Sequence, residues 1–198
     1  MSVARRMVRG MVALATVAGI AGVVAPASAT TLVRSSLDRL AKTNGAVVVG
    51  EVLDVNSYWN ADRTFILTDV KLSVADVLKG NVDNDEITVT LLGGSVGDLT
   101  TLIIGGPELI PGNAYVVFLN HENLPGTPEA LTVRDLSQGV FDLRMTTDGL
   151  KAVNQANGHP MVPDALGYID APGGVDGFHY KELVRTVRAL NIDVQEVN

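Results

Sequence analysis

Residues 46 to 80, AVVVGEVLDVNSYWNADRTFILTDVKLSVADVLKG, hold two runs rich in Val, Leu and Ile around a polar centre, and their reading decides the fold. In the first run Val48, Gly50 and Val52 share one face of a strand, but beyond Val52 the apolar residues shift to Leu53 and Val55. A structure of period two changes face in this way when a residue is inserted, so a bulge or strong coiling is expected near Gly50. The second run alternates cleanly: Val70, Leu72 and Val74 point one way, and Asp69, Lys71 and Ser73 the other. One face of that strand is therefore wet. Between the runs, Asn56 to Arg63 (NSYWNADR) reads as a hairpin loop carrying Tyr58 and Trp59. Strands bent in this manner build small barrels.

Working outward, residues 31 to 43 place Val33, Leu37, Leu40 and Ala41 at helical spacing, with Asn44-Gly45 as the stop. Downstream, Ile87, Val89 and Leu91 face inward on a third strand. The chain from Gly93 to Gly112 then carries six glycines and two prolines around the apolar run Leu99 to Ile104. Connections longer than ~12 to 15 residues are uncommon in compact domains and are often functional. Pro111-Gly112 launches a fourth strand, Ala114 to Leu119, apolar on both faces and so central. His121 to Pro128 reads as a loop. A fifth strand or strand pair covers Leu131 to Val133 and Gly139 to Met145, with Phe141, Leu143 and Met145 on one face. Residues 146 to 177 read as a loop-rich wrap. Tyr180, Leu183, Val184, Val187 and Leu190 then stripe a C-terminal helix over about 179 to 190. This order predicts a mainly β chain: a five-stranded Greek-key, OB-like barrel with a core over about 45 to 145, a short N-terminal helix and a C-terminal amphipathic helix. A two-sheet sandwich is the structural rival.

The first 29 residues have a different character. Arg5, Arg6 and Arg9 precede an uncharged apolar run from Met11 to Val24 and the small residues Ala27-Ser28-Ala29. A secretory signal peptide cleaved near Ala29 is expected, releasing a secreted or periplasmic product. The run is shorter than the ~20 residues of a membrane span. Residues 30 to 198 then form a single domain with 12 basic residues against 22 acidic, a net charge of −10. Such a surface repels phosphate backbones and anionic lipid, so neither nucleic acid nor membrane is an expected partner. The 198 residues contain no cysteine, which excludes disulfides and thiolate chemistry.

The helix with Leu37 and Leu40 is followed by Ala46-Val47-Val48-Val49-Gly50-Glu51-Val52 and Val74-Ala75-Asp76-Val77-Leu78-Lys79-Gly80. Further on come Gly93-Gly94, Gly106-Pro107, Pro111-Gly112 and Val116-Val117-Phe118-Leu119. Together these resemble a group of uncharacterised exported bacterial proteins, which in turn look like the OB barrels of the tissue-inhibitor-of-metalloproteinase and netrin-module group. The resemblance spans roughly residues 31 to 145 and implies the barrel, with a secreted metalloprotease among the candidate partners. The inhibitors' zinc-chelating N-terminal cysteine has no counterpart: the expected mature chain begins at Thr30.

Candidate chemistry is sparse. Gly93-Gly94-Ser95-Val96-Gly97 fits G-x-S-x-G, the nucleophile elbow, but the elbow needs a following helix. Here Thr- and Ile-rich sequence runs into Gly105-Gly106-Pro107, so a glycine-rich turn is expected. A small serine hydrolase using Ser95, with His159 as partner, stays as an alternative. His121-Glu122 opens a zinc-protease motif whose second His is replaced by Pro125, and His159 and His179 lie apart. Asp83, Asp85 and Glu86 lack the glycine and terminal glutamate of an EF-hand. No metal or cofactor is expected. Tyr58 and Trp59 can stack on sugar rings or anchor a protein, or else cap the barrel end. The expectation is an exported, non-enzymatic binding module for another exported protein, contacting it through Tyr58 and Trp59 and through Gly94, Ser95 and Pro107 of the glycine-rich connection. A carbohydrate-binding module is the second alternative.

Overall fold

A computed structural model describes residues 33–158 and 176–196. Over these residues the chain forms α1 (Leu37–Thr43), β1 (Ala46–Trp59), β2 (Ile66–Lys79), β3 (Glu86–Leu92), β4 (Gly94–Val96), β5 (Leu99–Thr101), β6 (Ala114–Leu124), β7 (Thr127–Thr132), β8 (Val140–Thr146), β9 (Gly149–Asn154), β10 (Phe178–His179) and α2 (Tyr180–Glu196). Short 3-10 turns follow β7 at Leu136–Gly139 and β9 at Gln155–Gly158. The chain is mainly β, and each hydrogen-bonded strand pair is antiparallel.

The expected bulge is present and has company. The β1/β2 register slips between Val47 and Val48, between Val49 and Gly50, and between Val52 and Asp54. Each slip bends the strand and increases its twist. Gly50 is where the ladder tolerates this, because a Cβ there would stand 2.7 Å from the Ser73 carbonyl oxygen. Alternation on either side of the slips sorts the apolar residues into two cores. Val48, Val52, Val70, Leu72, Ile87, Val89, Val117 and Leu119 fill one face of the sheet. Val47, Val49, Leu78, Val116, Phe118 and Phe141 lie on the other, under Leu37, Leu40 and Ala41 of α1 and Leu183 and Val187 of α2. The two helices are thus both needed to keep the second face dry.

The closed five-stranded Greek-key barrel is not what forms. The ladder runs β10-β9-β8-β6-β1-β2-β3, with β7 branching from β6, and it does not close. The reason lies in β6, one edge of which is shared: Tyr115 to Val117 pair with β8, while Asn120 to Leu124 pair with β7. The sheet therefore runs on through β8, β9 and β10. It still curls, since β7 comes against β3 although β6, β1 and β2 separate them in the ladder.

Other boundaries differ for local reasons. The N-terminal helix starts at Leu37, where the Ser36 hydroxyl accepts from the Arg39 N–H at 3.2 Å, and Val33 lies outside it, half exposed. Residues 56 to 59 are strand: Ser57, Tyr58 and Trp59 pair with Thr68, Leu67 and Ile66. The turn is confined to Asn60–Phe65 by the Asn60 side chain, whose oxygen accepts from Thr64 N–H (2.9 Å) and Phe65 N–H (3.1 Å). The expected loop at His121 to Pro128 is largely the β6–β7 hairpin, and the start of the expected wrap is the β8–β9 hairpin. The C-terminal helix runs to Glu196. The expected signal peptide and most of the 146–177 wrap lie outside the described residues. Among the described residues no helix is long and apolar enough to cross a membrane.

Candidate functional site

The long connection between β3 and β6 is held to the body at point after point. Gly93 N–H donates to the Ile66 carbonyl (2.9 Å), and the Thr68 hydroxyl donates to the Gly93 carbonyl (2.7 Å). Gly94, at φ 128°, presses so closely on β1 and β2 that a Cβ would lie 2.5 Å from the Ser57 hydroxyl. That contact seats the β4–β5 hairpin on the sheet. Beyond the hairpin, Gly106 N–H closes a turn on the Ile103 carbonyl (3.0 Å), and Ser137 N–H donates to the Gly105 carbonyl (2.9 Å). Gln155 then grips Glu108 from both sides of one amide: it donates to the Glu108 carbonyl (2.7 Å) and accepts from the Glu108 N–H (3.0 Å). The Tyr115 hydroxyl accepts from Ile110 N–H (3.0 Å), and Gly112 and Asn113 exchange backbone bonds with Val52.

This segment buries Leu109 in the core but turns other apolar side chains outward. Leu99 is 59 % exposed, Leu102 81 %, Ile104 68 % and Ile110 46 %. Single exposed apolar residues carry no message, whereas here four fall within twelve residues of one connection. Two concavities flank this ridge and share Gly106 in their walls. One is a polar trough of about 760 Å³, bounded by Glu108, Asn113, Asp142, Arg144, Gln155 and Asn157. Two of its lining charges neutralise each other, since Arg144 pairs with Asp142 at 2.5 Å, and Gln155 donates to the same carboxylate. The other is an apolar pit of about 140 Å³ lined by Leu92, Ile103, Pro107, Leu124 and Leu136, with the Glu122–Arg134 ion pair (3.4 Å) beside it.

The residues singled out from sequence divide accordingly. Pro107 lines the pit, and Gly94 seats the hairpin that begins the ridge. Ser95 is exposed in β4, its hydroxyl 2.8 Å from that of Thr100, and the strand turns into another strand rather than a helix. His159 lies outside the described residues. Tyr58 and Trp59 are half-buried in β1, not displayed on a loop. The Tyr58 hydroxyl donates to Asp69 (3.1 Å), which also accepts from Thr90 (2.8 Å). Burial, and then the Asp69 charge, push the Tyr58 phenol above its ordinary range. His121 bonds the Glu129 carbonyl (3.0 Å), and His179 sits in β10. Among the described residues no group of His, Asp and Glu is placed to hold a metal.

Sequence reasoning missed the amide of Gln155, which ties the ridge at Glu108. It missed Asn60 and Gln138 as well, which bind backbone elsewhere, across the β1–β2 turn and at Ser35, and no periodicity announces such a partner. Compared with protein-family models the chain matches none, and compared with curated proteins it matches none.

Proposed function

We propose that the chain is an exported, non-enzymatic binding module that docks another exported protein on the ridge from Leu99 to Ile110. The observation that carries this reading is the exposure of Leu102 and Ile104 on a connection fixed by the Gln155 amide, the Gly105 carbonyl and the Tyr115 hydroxyl. A surface already held in shape loses little entropy when it binds, which favours recognition over an adaptable loop. The contact face inferred from sequence is narrowed in the process. Pro107 stays within it, Gly94 and Ser95 support it, and Tyr58 and Trp59 serve the sheet.

The curled sheet is read as a partly open barrel of the OB-like kind, built from β1, β2, β3, β6 and β7. This is supported by β3 and β7 lying against each other and running in the same direction without a shared ladder. The resemblance to the metalloproteinase-inhibitor barrels is an analogy of fold, and it makes secreted proteases the first class of partner to score. The test is capture from the exported fraction by the mature protein, side by side with a Leu102→Asp/Ile104→Asp double variant of unchanged melting temperature. A protein retained by the wild type and released by the variant supports docking on the ridge. Equal capture by both removes the ridge from the account.

A further inference from the structure

The ridge stands in a stretch of unusual charge. From Gly80 to Val133 there is no lysine or arginine, while Asp83, Asp85, Glu86, Asp98, Glu108, Glu122 and Glu129 all fall within it. That stretch supplies β3, β4, β5, β6, β7 and the whole ridge. Two of its carboxylates lie near the exposed apolar residues in the chain: Asp98 directly precedes Leu99 at the tip of the β4–β5 hairpin, and Glu108 stands two residues before Ile110 and four after Ile104. Both are exposed. Glu108 also lines the polar trough, where the one basic side chain, Arg144, is already engaged by Asp142. Arg134, which lines the apolar pit, is engaged by Glu122. The apolar ridge is thus framed by carboxylates, and the cations bordering its two concavities are occupied.

From this charge pattern we propose that the partner presents a cationic amphipathic segment. Its apolar side chains cover Leu102 and Ile104, and its lysines or arginines meet Asp98 and Glu108, one of them entering the trough. The proposal rests on the docking reading above and adds the chemistry of what docks. Exposed carboxylates contribute mainly to selection and rate of encounter, because complementary charge steers association and like charge is rejected. The apolar contact supplies most of the affinity.

Three short synthetic peptides of identical apolar content separate the possibilities, with Lys, Ser or Glu at every polar position. Binding is read by fluorescence anisotropy and by the methyl resonances of Leu102 and Ile104. The lysine peptide is expected to bind, shift those methyls, and weaken roughly tenfold on raising salt to about 0.3 M, where charges are screened over only a few ångströms. Asp98→Asn/Glu108→Gln is expected to weaken the lysine peptide several-fold and leave the serine peptide unchanged. Leu102→Ser/Ile104→Ser is expected to remove binding of both. Serine or glutamate peptides that match the lysine peptide on the same methyls overturn the cationic partner and leave docking on the ridge intact. Absence of any methyl shift with all three peptides overturns the cationic segment, and capture by the mature protein then decides docking separately. Sedimentation of the peptide-free protein as a dimer that Leu102→Asp dissociates makes a second copy the occupant, and overturns the proposal as well.

Discussion

Asn60 is 4 % exposed, and its amide works as an internal template for the turn between β1 and β2. Its oxygen accepts two backbone N–H groups, and its nitrogen reaches the Pro125 carbonyl (3.4 Å), tying the β6–β7 hairpin to that turn. Replacing Asn60 by Ala strands these groups and is expected to cost about 1–3 kcal/mol, seen as a lower melting temperature with an unchanged far-ultraviolet spectrum. Gly94 is as constrained. At φ 128° with Ser57 and Thr68 beneath it, Gly94→Val is expected to cost about 2 kcal/mol or more and to unseat the hairpin, which limited proteolysis in the ridge will show. Tyr58 supplies a pH test. Unfolded tyrosine ionises at its ordinary 10.0, while the folded chain holds the Tyr58 proton beyond that value. The folded state then binds more protons than the unfolded state, so stability falls as pH rises through 10, and Tyr58→Phe is expected to flatten that fall. At this scale the sequence was legible where side chains follow a period, as with Val70 and Leu72. It was silent for Asn60, Gln138 and Gln155, whose partners are set by distant backbone.

Among the elements, α1 is short and depends on β2 for its end. The Lys79 ammonium donates to the Ala41 carbonyl (2.6 Å) and the Asn44 carbonyl (2.7 Å), closing two groups that the last helical turn leaves open. Lys79→Met is expected to cost about 1–3 kcal/mol and to speed hydrogen exchange across Leu37 to Thr43. The strand β3 gives a second test. Its amides that point away from β2 share no ladder with β7, so they are expected to exchange faster than those pointing toward β2. Equal protection on both sides would mean that the barrel closes in solution. The coiling of β1 was readable because Val52, Leu53 and Val55 break parity. The end of β1 was not, because Asn, Ser, Tyr and Trp at 56 to 59 look like loop composition although Tyr58 and Trp59 sit in the ladder. Composition cannot show that one edge of β6 serves two strands, so the strand expected over Gly139 to Met145 was not placed as an extension of the sheet, and β9 was missed.

For the molecule as a whole, the curled sheet encloses one core and rests a second on the two helices, leaving the β3–β6 connection to carry apolar residues outward. That connection stood out in the sequence by its glycines and length. Its rigidity did not, since it comes from Gln155, Ser137 and Tyr115 folding onto it from later elements. The ridge as a partner's docking surface is the central claim, and it can be tested at one position. A photo-crosslinking amino acid placed at Leu102 of the mature protein, with the same group at Met145 (78 % exposed, on β8) as control, is illuminated in the exported fraction. The account predicts one discrete crosslinked species from position 102 and none from position 145. A blank at 102, or the same species from both positions, would contradict it.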